Sequence, residues 1–265
     1  MHIQAVLLDI DGTLMIGTEP IPGAAETLRY LAENRIPYRF ISNGTRRSRA
    51  NVLKKLERLG APVSRDQIVT PAVAAIAYLK RKGITACNLL VTEDLLHDFT
   101  DNGISPDPGA STIVIGDAAD GFTYHAINRA FRSLLSGGEL IALEKDRYWK
   151  DTDGYSLGAG PFVSALEYAA GCRAILMGKP SPLFFAWAEK GLSAVGGRTA
   201  MIGDDLMTDI KGAQDAGLLG ILVFTGKTTE NETESGQVNP DASLASISLL
   251  PRFLETGENH PVTGE

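Results

Sequence analysis

Two carboxylates one residue apart, Asp9 and Asp11, close a short apolar run and stand before Gly12 and Thr13 in Ala5-Val6-Leu7-Leu8-Asp9-Ile10-Asp11-Gly12-Thr13. A buried strand of that length delivers both acids to its carboxyl end, where open parallel sheets hold their ligands. Side chains alternate along an extended strand, so Asp9 and Asp11 are expected on one side of a small pocket. Adjacent carboxylates repel, and a divalent cation is the simplest means of keeping both ionised. Gly12 lets the backbone turn sharply and approach a ligand. Taken alone, the segment also reads as a turn with two solvated aspartates, because Asp-Gly pairs form turns readily.

Three further groups each follow an expected strand. Ser42 and Asn43 offer a hydroxyl, an amide and backbone N–H groups at the start of the next helix, a ready anion site. Lys179 supplies a point charge for a phosphoryl oxygen. Asp204, Asp205 and Asp209 supply carboxylates suited to a hard cation. Singly these are weak signals, since Gly-Lys-Pro often marks a turn and an Asp-Asp pair often opens a helix. Together, at four strand ends, they provide the positioning and charge neutralisation that phosphoryl transfer requires.

The elements that must position these groups can be read in order. Pro20 and Pro22 precede a helix with Ala24, Leu28, Leu31 and Ala32 on one face, and Pro37 to Ser42 reads as a second strand. A basic helix is expected from Arg46 to Leu59, closed by Gly60, and another runs from Pro71 to Gly83. The alternation β-α-β-α signals a parallel sheet with crossover helices. From about Gly83 a second α/β pattern starts, with strands near 88–91, 111–115 and 140–143 and helices near 123–135 and 161–170. Residues 147–160 read as polar and turn-rich. The first pattern resumes at Arg173–Met177, with a helix reaching Leu192, a strand at Thr199–Ile202, a helix through Ala216 and a strand at Leu219–Phe224. Thr225 to Ala242 reads as a surface loop, and the tail from Thr256 as frayed. Ser42 and Lys179 stand 137 positions apart, far more than a βα crossover needs. The fold class is therefore α/β, a Rossmann-like parallel-sheet core at about 1–78 and 174–265 with a smaller inserted α/β cap at about 79–173.

Composition narrows the function. The 265 residues are 44% hydrophobic and 22% charged, with a formal net charge of −7. That balance is expected of a soluble globular protein and argues against nucleic acid or an anionic membrane as partner. No window approaches a spanning helix, and the N-terminal apolar run is too short for a signal peptide. The two cysteines, Cys87 and Cys172, lack metal-type spacing and read as reduced core residues of a cytoplasmic protein.

In order and spacing, Asp9-x-Asp11-Gly12-Thr13, Ser42-Asn43, Lys179 and Gly203-Asp204-Asp205-x-x-x-Asp209 resemble motifs I to IV of the haloacid dehalogenase-like (HAD) superfamily. The insertion between motifs II and III, and the Gly-Thr-Arg-Arg after Ser-Asn, resemble its type IIA (NagD-like) capped branch. Tyr148-Trp149-Lys150 and the run from Asp153 to Pro180 look most like the phospholysine phosphohistidine inorganic pyrophosphate phosphatase group. The resemblance implies a Mg2+-dependent phosphohydrolase acting on a small phosphorylated substrate. In it Asp9 is the nucleophile, and Asp11 protonates the leaving oxygen and later activates water. Asp9, Ile10, Asp11, Ser42, Asn43 and Lys179 would hold the phosphoryl group. Mg2+ would sit on the Asp9 carboxylate, the Asp11 carbonyl and Asp204, with Asp205 and Asp209 orienting its waters. The resemblance also implies a cap that selects substrate and a homodimer formed through it.

The third motif II position is Gly44, where many relatives carry Asn. Arg46 reads either as a contact for a substrate anion or as part of a solvated helix face. Gly226-Lys227-Thr228 lacks the upstream glycine of a P-loop, Ile221 standing in its place, and Gly158-x-Gly160 lacks the third glycine of a dinucleotide site. The four histidines, His2, His97, His125 and His260, have no triad or zinc spacing. A family dehalogenase would lack the acid at Asp11. The rivals are a phosphomutase and a non-catalytic binding or regulatory protein that keeps the fold.

Overall fold

The computed structural model describes residues 2–150, 154–192, 197–229, 236 and 238–257. Asp153, His260, the tail beyond residue 257 and Asn231-Glu232-Thr233, a triplet that matches the pattern of a glycosylation acceptor, lie outside the described residues.

In chain order the strands begin with β1 (Ile3–Asp9), β2 (Met15–Ile16), β3 (Glu19–Pro20), β4 (Tyr38–Ile41), β5 (Ile68–Val69), β6 (Ala86–Leu90), β7 (Ser105–Pro106) and β8 (Thr112–Ile115). They continue with β9 (Glu139–Ala142), β10 (Tyr148–Lys150), β11 (Tyr155–Leu157), β12 (Ile175–Leu176), β13 (Arg198–Gly203), β14 (Leu219–Val223) and β15 (Ala242–Leu244). The helices are α1 (Ala24–Glu33), α2 (Arg49–Glu57), α3 (Pro71–Arg81), α4 (Glu93–Thr100), α5 (Tyr124–Leu135), α6 (Gly160–Ala170), α7 (Pro182–Glu189), α8 (Gly212–Asp215) and α9 (Leu250–Thr256). The chain forms two compact units, one of residues 1–42, 51–69 and 179–265, the other of residues 43–50 and 70–178.

The first unit holds a six-stranded sheet in the order β15-β14-β13-β1-β4-β5, every pair parallel. Ala5, Val6, Leu7 and Leu8 are fully buried, as a central strand of a parallel sheet demands, since both faces are covered. On α1 the buried Ala24, Thr27, Leu28 and Leu31 recur at helical spacing and make one face apolar. Removing a leucine such as Leu28 from water contributes about 2 kcal/mol. From β1 the chain moves outward to β4 and β5 on one side, and to β13, β14 and β15 on the other. The boundary between β1 and β13 is thus a topological switch point, where a crevice opens beyond the strand ends. Register fixes what stands there, because Asp9 pairs with Ile41 and Leu8 with Ile202. Asp9, Ser42 and Asp204 therefore emerge at one end of the sheet.

The second unit is a five-stranded parallel sheet in the order β12-β9-β8-β6-β7. Ile113, Ile115, Leu140 and Ala142 of its strands share a core with Ala126, Ala130 and Leu134 of α5 and Val163 and Leu166 of α6. Its helices start on local signals. Thr70, Thr92 and Thr123 each accept a bond from the amide three residues on, and Pro71 opens α3.

Several expected elements differ. The helix expected from Arg46 begins at Arg49, because the Ser48 and Arg49 amides donate to Asp94 and Asp98 of α4 at 2.8 Å each. That capping comes from far along the chain. Residues 147–160 are not merely turns, since β10 and β11 pair antiparallel within them, with Tyr148 and Tyr155 rings edge to face at 5.3 Å. The helix expected to reach Leu192 ends at Glu189, where Arg39 donates to the Ala188 carbonyl at 2.9 Å. Tyr124, at the start of α5, points to solvent, and Cys172 is only half-buried. The segment before Ala216 opens as a wide π turn at Leu206–Lys211 before α8. The short strands β5, β7 and β15 carry too few residues to announce themselves by periodicity.

Candidate active site

Asp9 is the last residue of β1, and its carboxylate is buried. Asp204 directly follows β13, and Asp209 lies in the π turn after it; both are buried. Lys179, buried as well, donates to Asp9 Oδ1 at 2.5 Å and to Asp209 Oδ1 at 2.6 Å. Carboxylate oxygens of Asp9, Asp204 and Asp209 all lie within 4.8 Å of one another. Three buried carboxylates against one ammonium leave a surplus of two negative charges. Such a surplus is costly away from water, and a divalent cation with a preference for oxygen ligands fits it.

Titration behaviour follows from the same crowding. Burial pushes Asp9 well above the usual carboxylate range, opposed by Lys179 and reinforced by Asp209 and Asp204. Asp209 is raised by burial against the pull of Lys179. Asp204 is pushed up to about 6, by burial first and then by Asp209, with the Lys227 amide pulling the other way. For Lys179 burial works against the charge, yet Asp209 and Asp9 hold it above the ordinary lysine value. Each acid is raised further because other acids stand beside it.

Asp9 and Asp11 differ in their surroundings, the first carboxylate being buried and the second exposed. The strand ends at Asp9, and the chain turns at once, with the Gly12 amide donating to the Met15 carbonyl at 2.8 Å. The Asp11 carboxylate is 64% exposed and pairs with Lys55 of α2. Strand alternation therefore no longer applies at the second acid. The third acid near Asp9 comes instead from Asp209, ahead of Asp11. Gly12 has a φ of 88°, open to glycine and strained for other residues, and its missing side chain is the space that the Asp204 carboxylate fills.

Ser42 is buried just beyond β4, its amide donating to the Val69 carbonyl at 3.3 Å. It does not open a helix, since α2 starts only at Arg49, so the helix-terminus anion site expected there does not form. Ile10 is buried and accepts the Leu14 and Met15 amides at its carbonyl. Asn43, Gly44 and Arg46 belong to the second unit. There Asn43 Nδ2 donates to Asp146 at 3.4 Å. Arg46 pairs with Asp117 at 2.8 Å and lies over the Trp149 ring at 4.6 Å, so it is not part of a solvated helix face. Asp205 caps the π turn through the Met207 and Thr208 amides and pairs with Lys227 at 2.5 Å. Burial would raise Asp205, but Lys227 and those amides outweigh it and lower its pKa.

Sequence reasoning misses Thr225-Gly226-Lys227-Thr228, which reads as the start of a surface loop. The Lys227 amide donates to Asp204 Oδ2 at 2.6 Å, the Thr228 amide to the Asp204 carbonyl at 3.0 Å, and Thr225 Oγ1 to the Gly12 carbonyl at 2.6 Å. Only the small-residue composition directly after a strand hints at this.

The haloacid dehalogenase-like hydrolase family model matches residues 6–105, and a second HAD-hydrolase-like model matches residues 176–250. Human haloacid dehalogenase-like hydrolase domain-containing protein 2 is 44% identical over 248 residues, covering 93% of each chain. The chain belongs to the haloacid dehalogenase-like hydrolase family. Within this family, the bovine phospholysine phosphohistidine inorganic pyrophosphate phosphatase is 36% identical, over 93% of this chain and 92% of its own. The crystal structure of 4-nitrophenylphosphatase from Thermotoga maritima matches with a TM-score of 0.88 and 30% identity, covering 95% of this chain and 97% of that one. The chain is thus a type IIA, NagD-like HAD enzyme with an α/β parallel-sheet fold. Among the described residues, no helix is long and apolar enough to cross a membrane.

Proposed function

We propose that this HAD enzyme is a Mg2+-dependent phosphohydrolase of small phosphorylated metabolites, working through an aspartyl-phosphate on Asp9. The observation that carries this reading is the convergence of Asp9, Asp204 and Asp209 on one point beside Lys179. Phosphatases named among the relatives support the phosphoryl chemistry.

Asp9 attacks phosphorus, and the bond to the leaving oxygen breaks as Asp11 gives that oxygen a proton. Asp11 then takes a proton from water, whose oxygen attacks the phosphoryl group, releasing phosphate and restoring Asp9. Because Asp11 lies exposed, it has room to turn from Lys55 toward the leaving group. Lys179 and Ser42 hold phosphoryl oxygens, and the Lys179 charge opposes the burial that raises the Asp9 pKa. Mg2+ held by Asp9, the Asp11 carbonyl and Asp204 would offset charge on the transferring oxygens, with Asp205 and Asp209 ordering its waters. The second unit, in this reading, acts as the cap that chooses the substrate.

The test is hydrolysis of p-nitrophenyl phosphate by wild type and Asp9→Asn, with Mg2+ and with EDTA. Turnover should require Mg2+ and fall by at least about a thousandfold in the variant. Wild type without metal-dependent turnover would instead point to a non-catalytic binding protein.

A further inference from the structure

The segment Thr225-Gly226-Lys227-Thr228 lies outside the motifs from which the phosphohydrolase reading was built, yet it encloses one of its carboxylates. Asp204 Oδ2 is held by the Lys227 amide at 2.6 Å, and the Asp204 carbonyl by the Thr228 amide at 3.0 Å. Thr228 Oγ1 accepts the Leu206 amide at 3.1 Å, and Thr225 Oγ1 ties the same segment to Gly12 at 2.6 Å. A methyl group at Gly226 would run into the Asp204 carboxylate and stand 2.8 Å from Gly12 Cα. The carboxylate is therefore gripped between two backbones, Gly12 on one side and Gly226 on the other. Lys227 closes the grip from outside, its Nζ on Asp205 Oδ2 at 2.5 Å, and Asp205 in turn caps the turn that carries Asp209.

We propose that residues 225–228 form a clamp that sets the rotamer of Asp204 for a divalent cation, with Lys227 as its positioning residue. The proposal rests on the cation site described above and concerns what tunes its affinity. With Oδ2 held by an amide, the carboxylate is already oriented, so less conformational freedom is lost when a cation binds. Partners that orient a ligating carboxylate in this way govern metal affinity by roughly ten- to a hundredfold. The Lys227 ammonium is 71% exposed, so its share is smaller than that of the backbone grip.

Isothermal titration of MgCl2 into wild type, Gly226→Ala, Lys227→Met and Lys227→Arg tests this, alongside melts in EDTA. Gly226→Ala should weaken Mg2+ binding by at least about tenfold. Lys227→Met should weaken it by about threefold, and Lys227→Arg should return to within about twofold of wild type. In p-nitrophenyl phosphate hydrolysis, the half-saturating Mg2+ should rise in Lys227→Met while KM at saturating Mg2+ stays unchanged. If Gly226→Ala does not fold, Lys227→Met melting like wild type in EDTA decides the matter alone. Mg2+ affinity unchanged in every variant that folds, with wild type binding and turning over normally, overturns the clamp and leaves the phosphohydrolase reading standing. Wild type that neither binds Mg2+ nor turns over sinks both.

Discussion

The two parallel sheets place buried acids at the same kind of position, just beyond the carboxyl ends of their strands, and satisfy them differently. In the second unit Asp117 follows β8 and meets Arg46 at 2.8 Å and the Ala119 amide at 3.0 Å. Glu144 follows β9 and accepts the Ala159 amide at 2.7 Å and the Asp146 amide. Burial, with Asp146 nearby, pushes Glu144 up to about 7. One acid is thus balanced by a guanidinium and the other by a readily held proton. In the first unit Asp9, Asp204 and Asp209 share the single ammonium of Lys179, and the charge that remains converges on one point. Burial of acids at strand ends does not by itself mark a site. Surplus charge gathered in one place does.

The most severe way to break this comparison is to remove the shared cation. Lys179→Met leaves three carboxylates facing one another, and loss of a buried partner of this kind costs about 3–5 kcal/mol. The EDTA melt should fall accordingly. Added Mg2+ should recover part of it, about 2.7 kcal/mol at a hundredfold excess over its dissociation constant. An unchanged EDTA melt would mean that the three acids do not feel one another.

A finer contrast is available through pH. Glu144 has a folded-state pKa of about 7, above its ordinary value of 4.5. The folded state therefore favours the protonated acid, so its stabilising contribution is complete below pH 4.5 and is lost as pH rises through 7. The full shift amounts to about 3 kcal/mol. Asp9 and Asp204 are raised as well and act in the same direction. The two regions separate when Mg2+ is added, because a bound cation favours ionised Asp9 and Asp204 and cancels their slope. Urea titrations between pH 5 and 8 in saturating Mg2+ should therefore retain a slope that Glu144→Gln removes. If Mg2+ abolishes the slope in wild type, the Glu144 assignment is wrong.

The parallel α/β fold and the four strand-end groups are legible in the sequence because they are local. Apolar run, acid and glycine lie side by side in the chain, and each motif follows its own strand. What cannot be read there is decided across long separations. The late start of α2 depends on Asp94 and Asp98, contacts that no helical periodicity encodes. The different surroundings of Asp9 and Asp11 follow from β1 stopping at Asp9, and the acids that gather around Asp9 come from Asp204 and Asp209, far along the chain. Gly226 and Lys227 stand out in the sequence only against a P-loop pattern, although their role is to pack on a carboxylate from another strand. The basic pattern around Arg46 suggests a helix that in fact begins three residues later.

Arg46 also supplies the mildest break in the comparison. Its side chain is 39% exposed, whereas that of Asp117 is 7% exposed, so the pair stands between a surface and a buried salt bridge. Arg46→Ala strips the guanidinium from Asp117 and from the Trp149 face, while the Ala119 amide and Thr45 still hold the loop. Exposure of one partner screens the loss to about 1–2 kcal/mol, well below that of Lys179→Met. Mg2+ should not recover it, because among the described residues Asp117 is not one of the acids close enough to share a cation. A melt that Mg2+ restores in Arg46→Ala as fully as in Lys179→Met would erase the distinction between an acid satisfied locally and acids that require a metal.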